Sequence, residues 1–149
     1  MEWRIDRLCS LDEKDIKDIF DIRTKVFVEE QKCSEPDRDY KDEDAYHVFL
    51  KNSVSGEIIA YLRILDKGVV YPEVSIGRLL VNEKYRRRGY ARQAVLKALD
   101  FIKYQLGETN VRISAQHYMA EFYIKEGFII TSSIYLEENI PHVEMLKLG

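Results

Sequence analysis

The sequence predicts one α/β domain of the α+β type, built on a mixed, mainly antiparallel sheet with a bulge in one strand. Three observations carry this. Strand-like segments fill most of the chain from Tyr46 onward, and one long amphipathic helix, 88–106, interrupts them. The apolar pattern of the strand before that helix slips by one residue at Gly77. The 149 residues, 46% apolar and 33% charged, suffice for one domain with its own core, taken to span 1–149. No repeat, low-complexity tract or Gly/Ser/Pro linker divides it.

In chain order, a short strand is expected between Trp3 and Leu8. Ser10 and Glu13 have capping-box spacing, and Ile16, Ile19, Phe20, Val26 and Phe27 follow at helical spacing. Periodicity is lost over 29–44, where eight acids and three bases leave a net charge of −5 and a charged loop with a helical turn is expected. Strands at 47–51 and 57–65 flank Asn52-Ser53-Val54-Ser55-Gly56, a hairpin signal. In the strand 74–81, Val74 and Ile76 share a face, and strict alternation would next place Arg78 there. The apolar residues fall instead at Leu79 and Val81, which reads as a β-bulge after Gly77.

The helix 88–106 carries Ala91, Val95, Ala98, Ile102 and Leu106 on one stripe and ends at Gly107. Val111, Ile113 and Ala115 alternate as a strand. A short helix then stops at Gly127, a left-handed cap with Phe128 as its apolar contact. Strands at 129–136 and 142–148 close the chain. The bulged strand and the strand at Val111 are expected to run parallel, joined by the long helix.

Composition excludes several classes. A formal charge of −3 argues against general attraction to nucleic acid or to an anionic membrane. The longest apolar run, 58–62, has five residues, against ~20 for a membrane span. Met-Glu-Trp-Arg opens no apolar leader, so no signal peptide is read and the cytoplasm is the expected compartment. The cysteines Cys9 and Cys33 have no metal-ligand spacing, so neither a disulfide scaffold nor a metal is expected.

The strongest local signal lies where the bulged strand meets the long helix, at Val81-Asn82-Glu83-Lys84-Tyr85-Arg86-Arg87-Arg88-Gly89-Tyr90-Ala91. A helix N-terminus offers unpaired amides and partial positive charge, and Gly89 and Ala91 leave room for close approach of a phosphate. Seven bases against two acids over 82–104 make this segment basic in an acidic chain. Three arginines at a helix N-terminus oppose the dipole unless an anion is present. A solvated basic turn is the alternative. Neither a Walker loop nor a three-glycine dinucleotide motif is present.

At these residues the sequence resembles the GNAT superfamily of acyl-CoA-dependent N-acyltransferases, whose pyrophosphate motif Gln/Arg-x-x-Gly-x-Gly/Ala is matched by Arg86, Gly89 and Ala91. Phe122-Tyr123-Ile124-Lys125-Glu126-Gly127-Phe128 matches a second family segment. Ile22-Arg23, Val26-Phe27-Val28-Glu29-Glu30-Gln31, Ile76-Gly77-Arg78 and Ile140-Pro141-His142 resemble the bacterial ElaA-like branch. The resemblance implies a GNAT-like sheet of six or seven strands with a splayed, bulged central strand and helices on both faces. It also implies acetyl-CoA as cosubstrate. Backbone groups of Leu79, Leu80 and Val81 would hold the pantetheine arm. Amides of Arg87, Arg88, Gly89, Tyr90, Ala91 and Arg92, with Arg86, would hold the diphosphate. An N–H near Leu79 would stabilise an oxyanion.

Acetyl transfer to an amine needs the amine neutral, through a base or by binding an amine already partly neutral, and the leaving thiolate benefits from a proton. By resemblance Tyr123 is the donor; a packed core tyrosine is the alternative. Ser75 stands where some members carry a basic glutamate, and it is no base at neutral pH. Glu73, two residues earlier on the same strand face, and His142, an imidazole after Pro141, are the candidate bases. For His142, as for His47, a structural hydrogen bond is the competing reading. Gln116 replaces an Asn that many members use near the cofactor arm.

The function so implied is acetyl-CoA-dependent N-acetylation of a small-molecule or peptide amine by direct attack in a ternary complex. The acidic stretch 29–44 is expected either to favour cationic acceptors or to be a solvated loop. The alternative is a non-catalytic acyl-CoA sensor, which Ser75 permits; only an enzyme would release thiol when amines are added. A nucleic-acid role through Arg86–Arg88 is disfavoured by charge. Pairing of the final strands between two copies makes a homodimer one expectation.

Overall fold

The longest apolar run becomes the middle of the molecule. The computed structural model describes residues 2–33 and 37–149; positions 34–36 of the charged loop, including Glu35 and Pro36, lie outside the described residues. Strand β3 (Ile58–Leu65) is buried along its whole length. It sits between β2 (Tyr46–Lys51) and β4 (Ser75–Val81), with β1 (Trp3–Arg7) outside β2, all antiparallel. Helices cover both faces. Leu62 and Ile64 pack with Ala94, Val95, Ala98 and Ile102 of α2 (Tyr90–Tyr104). Tyr61 and Phe49 pack on the other face with Ile19 of α1 (Glu13–Arg23) and Val26 beyond it. Each such aliphatic side chain contributes ~1.5–3 kcal/mol by leaving water.

Helix α1 starts later than Ser10 implies. Leu8–Ser10 form a 3₁₀ turn that tucks Leu8 into the core, so the cap is Asp12, whose side chain accepts from the Asp15 N–H at 2.8 Å. After Arg23 the helix widens into a π-helical segment, Thr24–Glu30, with Gln31 N–H bonded to Val26 O at 3.0 Å. Tyr40–Glu43 form the helical turn expected in the charged loop.

The second half builds its own sheet around β8 (Ile140–Lys147). β5 (Val111–Gln116) lies on one side; β6 (Ile129–Ile130) and β7 (Tyr135–Glu137) lie end to end on the other. The strand expected at 129–136 is divided because Thr131 N–H bonds to Glu144 O while Ser132 Oγ accepts the Glu144 N–H, both at 2.9 Å. β8 begins at Ile140, two residues earlier than the alternation suggests. Glu138 and Asn139, with φ of +52° and +61°, close a two-residue turn that pairs Glu137 with Ile140. Between β5 and β6, α3 (Ala120–Lys125) ends as expected at left-handed Gly127, with Phe128 N–H on Tyr123 O at 3.1 Å.

The two sheets meet at one parallel bridge, Val74 to Val111, with Arg112 N–H on Val74 O at 3.0 Å. Beyond it β4 and β5 diverge. The bulge is in β4: Arg63 pairs with Gly77 and Tyr61 with Leu80, so Leu62 faces both Arg78 and Leu79. The left-handed residue is Arg78, at φ +56°, and not Gly77. Arg78 is held there by Asp37, through Nε to Oδ1 at 2.9 Å and Nη2 to the carbonyl at 3.1 Å.

Candidate active site

A cavity of about 400 Å³ opens where β4 and β5 part. Gly77, Arg78 and Leu79 form one wall and Ser114, Ala115 and Gln116 the other. Phe27 and Gln31 reach it from the π-helical segment and its end, Tyr123 comes from α3, and Tyr71, Glu137 and His142 close the far side. Bulge and divergence have one consequence: β4 turns an edge without a neighbouring strand toward this space, and free edge groups recruit an extended ligand.

Of the residues expected from the sequence, Leu79, Gln116, Tyr123 and His142 line the cavity, as does Ser75. Tyr123 is 7% exposed. Burial pushes its phenol well above the ordinary tyrosine range, with Tyr118 adding to the effect, so it holds its proton at neutral pH. Gln116 Nε2 donates to Gln31 Oε1 at 2.9 Å, tying β5 to the π-helical segment. His142 Nδ1–H donates to Ile140 O at 2.7 Å, which leaves Nε2 on the side of Glu137, 3.3 Å from Oε2.

Other expected residues lie elsewhere. Leu80 turns into the core beneath α1. Val81 pairs with Ala60, and its carbonyl accepts from Arg86 Nε at 2.9 Å; Arg86 Nη2 also holds Glu30 at 2.8 Å. Arg92 pairs with Glu126 at 3.0 Å across to α3, and Arg88 sits 5.8 Å over the Tyr85 ring. Glu73 is not among the cavity-lining residues. Arg112 grips it with two bonds, at 2.9 and 3.0 Å. Those bonds lower the Glu73 carboxyl below the usual range, against a small opposing effect of burial, which makes it a weaker base.

The segment before α2 has the form of an anion cradle. Arg87 and Gly89 are left-handed, with φ of +66° and +83°, on either side of Arg88. Such reversals turn successive amides toward one point. A Cβ at Gly89 would meet no atom within 4 Å, so the space beside this backbone is open. These features fit the diphosphate of an acyl-CoA. Asn82 fixes the approach by donating to Ile58 O at 3.1 Å and accepting from Lys84 N–H at 3.2 Å.

Sequence reasoning missed the polar cluster behind the cavity. Arg23, fully buried, binds Asp37 at 2.7 Å and Asp42 at 2.6 Å. Arg63 binds Asp39 at 2.8 Å and Asp42 at 3.0 Å. Burial raises the Asp42 carboxyl, but hydrogen bonds and charge from Arg23 outweigh it and hold the group at about 2. His47 donates to Asp42 O through Nε2 at 3.0 Å and accepts from Tyr61 OH at 2.7 Å; burial lowers its pKa, and its role is structural. Asp37, Asp39 and Asp42, three of the eight acids of the stretch 29–44, are thus engaged by arginines. The available signal was Arg63, a lone charge inside an apolar strand.

Fold and cavity together match the class of the acyl-CoA N-acyltransferases. An acyl-CoA N-acyltransferase of Pseudomonas aeruginosa superposes with a TM-score of 0.90 at 31% identity, over 99% of each chain. The crystal structure of Escherichia coli ElaA gives 0.89 at 31% identity, again over 99% of each. The chain belongs to the GNAT family: the acetyltransferase (GNAT) domain profile matches residues 13–148. A UPF0039 protein of Schizosaccharomyces pombe is 39% identical over 137 residues, 91% of this chain and 89% of its own. Among the described residues no helix is long and apolar enough to cross a membrane, and no group of His, Cys, Asp or Glu is placed to hold a metal ion.

Proposed function

We propose that the protein is an acetyl-CoA-dependent N-acetyltransferase that acylates the amine of a small molecule or peptide by direct attack in a ternary complex. The observation that carries this is the succession of the free side of bulged β4 and the left-handed turn into α2 in one stretch of chain, with a buried protonated phenol, Tyr123, lining the cavity beside β4. Acetyl-CoA supplies the activated thioester.

The amides of 87–92 orient the diphosphate, and β4 near Leu79 orients the arm and donates an N–H to the developing oxyanion, the kind of preorganised contact that dominates acyl transfer. Tyr123 gives its proton to the leaving thiolate, and its raised pKa keeps that proton in place beforehand. His142 takes the amine's proton at Nε2, the nitrogen its bond to Ile140 leaves available. It serves better than Glu73, which Arg112 occupies. Calorimetry with acetyl-CoA and a thiol-release assay over a panel of primary amines test the reading. Micromolar binding with amine-dependent thiol release is expected, and absence of heat with acetyl-CoA overturns it. Binding without thiol release would favour the sensor reading, which the non-basic Ser75 on β4 supports.

A further inference from the structure

One wall of the cavity has no part in the scheme above. Glu137, the last residue of β7, lines the cavity with its carboxylate held by Ser114 and close to His142. Oε1 accepts from Ser114 Oγ at 3.2 Å, and Oε2 stands 3.3 Å from His142 Nε2. Both partners are themselves held. Ser114 Oγ lies 2.5 Å from Tyr135 OH, the Tyr135 ring stacks on His142 with centroids 6.2 Å apart, and His142 Nδ1–H is bonded to Ile140 O. The Glu138–Asn139 turn fixes the end of the hairpin that carries the residue.

This carboxylate differs from Asp37 and Asp39, which also line the cavity. Arginines bind Asp37 and Asp39, whereas among the described residues no lysine or arginine pairs with Glu137, whose side chain is 53% exposed. A carboxylate has about four acceptor positions; Ser114 uses one, and Oε2 faces the His142 Nε2 that carries no proton while Nδ1–H is bonded to Ile140. The Tyr71 phenol, which also lines the cavity, is pushed up to about 12 chiefly by burial, with Tyr135, Glu144 and Glu137 adding to the effect against Arg112. A cation without a protein partner is what this arrangement suits.

We propose that Glu137 receives the ammonium group of the acceptor, so that the acceptor class is a primary amine bound as its cation, with Ser114 as the positioning residue of that carboxylate. The assignment rests on the reading of the cavity as the acceptor site. It leaves the amine at the end of the cavity facing His142 Nε2, which then removes the proton.

The test uses n-butylammonium chloride and the uncharged 1-butanol as probes, titrated calorimetrically into the full chain saturated with coenzyme A. The ammonium is expected to bind at least about tenfold more tightly than the alcohol, and Glu137→Gln to remove that preference, the order expected for loss of a charge-assisted hydrogen bond. Acetyl-CoA affinity and melting temperature of Glu137→Gln should match wild type. Ser114→Ala should weaken the ammonium, and its double variant with Glu137→Gln should be no weaker than Glu137→Gln alone, the non-additivity expected of a residue that acts through Glu137. Equal binding of the two probes, saturation by neither, or wild-type ammonium affinity in Glu137→Gln overturns the proposal while acetyl-CoA binding stays intact. Loss of acetyl-CoA binding in the wild type overturns the functional reading, and this assignment with it.

Discussion

Arg23 leaves α1 for the buried interior, and the groups around it compensate its charge. Asp37 and Asp42 accept its hydrogen bonds, Tyr61 stands 3.2 Å away, and the Phe20 ring lies 4.8 Å from the guanidinium carbon. Removing one member of such a set leaves buried carboxylates unpaired. Arg23→Ala should therefore cost about 3–5 kcal/mol in urea denaturation. Acid should act on the same place. With its folded pKa at about 2 against ~3.9 unfolded, Asp42 contributes stability that is present above ~pH 4 and lost as the pH falls through 2, about 2 kcal/mol in all. The urea midpoint followed from pH 5 to 2 should fall over that window, and the fall should shrink in Asp42→Asn. At Tyr123 the concern is chemistry. Tyr123→Phe should lower kcat about 10²-fold or more, with acetyl-CoA affinity unchanged within about twofold.

Two elements decide where a ligand lies. The first is the turn into α2, where Gly89 occupies a left-handed conformation beside open space. In Gly89→Val the added Cβ meets no protein atom within 4 Å, so the damage falls on the backbone preference, ~1–2 kcal/mol, and on the space a diphosphate would fill. Acetyl-CoA affinity by calorimetry should fall at least about tenfold, with a melting shift of only several degrees. The second is β4, where an arginine takes the left-handed bulge position. A glycine would adopt that backbone more easily, yet Arg78 also clamps Asp37. The bulge and the buried cluster are therefore one structure: the residue that opens the sheet is the one that anchors the loop beside the cavity.

At the scale of the whole molecule, two sheets share the core around α2 but join through one bridge, Val74 to Val111. A ligand held by α2 and β4 on one side and by β5 on the other spans the gap. Acetyl-CoA at 100 times its Kd should add about 2.7 kcal/mol to stability, read as a concentration-dependent rise in melting temperature. Hydrogen-exchange protection should increase at 77–81 and 112–116 more than in β1. Uniform protection across both sheets would argue against a ligand seated in the cleft.

Much of this was legible in the chain. Alternation and helical spacing located β2 through β5 and α2, the slip after Gly77 announced the bulge, and Gly127-Phe128 marked the end of α3, because each depends on neighbours in sequence. The arginine-glycine turn and the Phe-Tyr segment pointed to the family whose profile matches 13–148. What the chain alone left open depends on pairs far apart. Nothing near Arg23 announces Asp42, nothing near Glu73 announces Arg112, and Glu137 meets Ser114 and His142 only once β5, β7 and β8 lie side by side. Local pattern fixes which residues face inward. Which charges neutralise one another, and which carboxylate is left for a ligand, is settled only by the packing of strands, since electrostatic partners are chosen by distance in space.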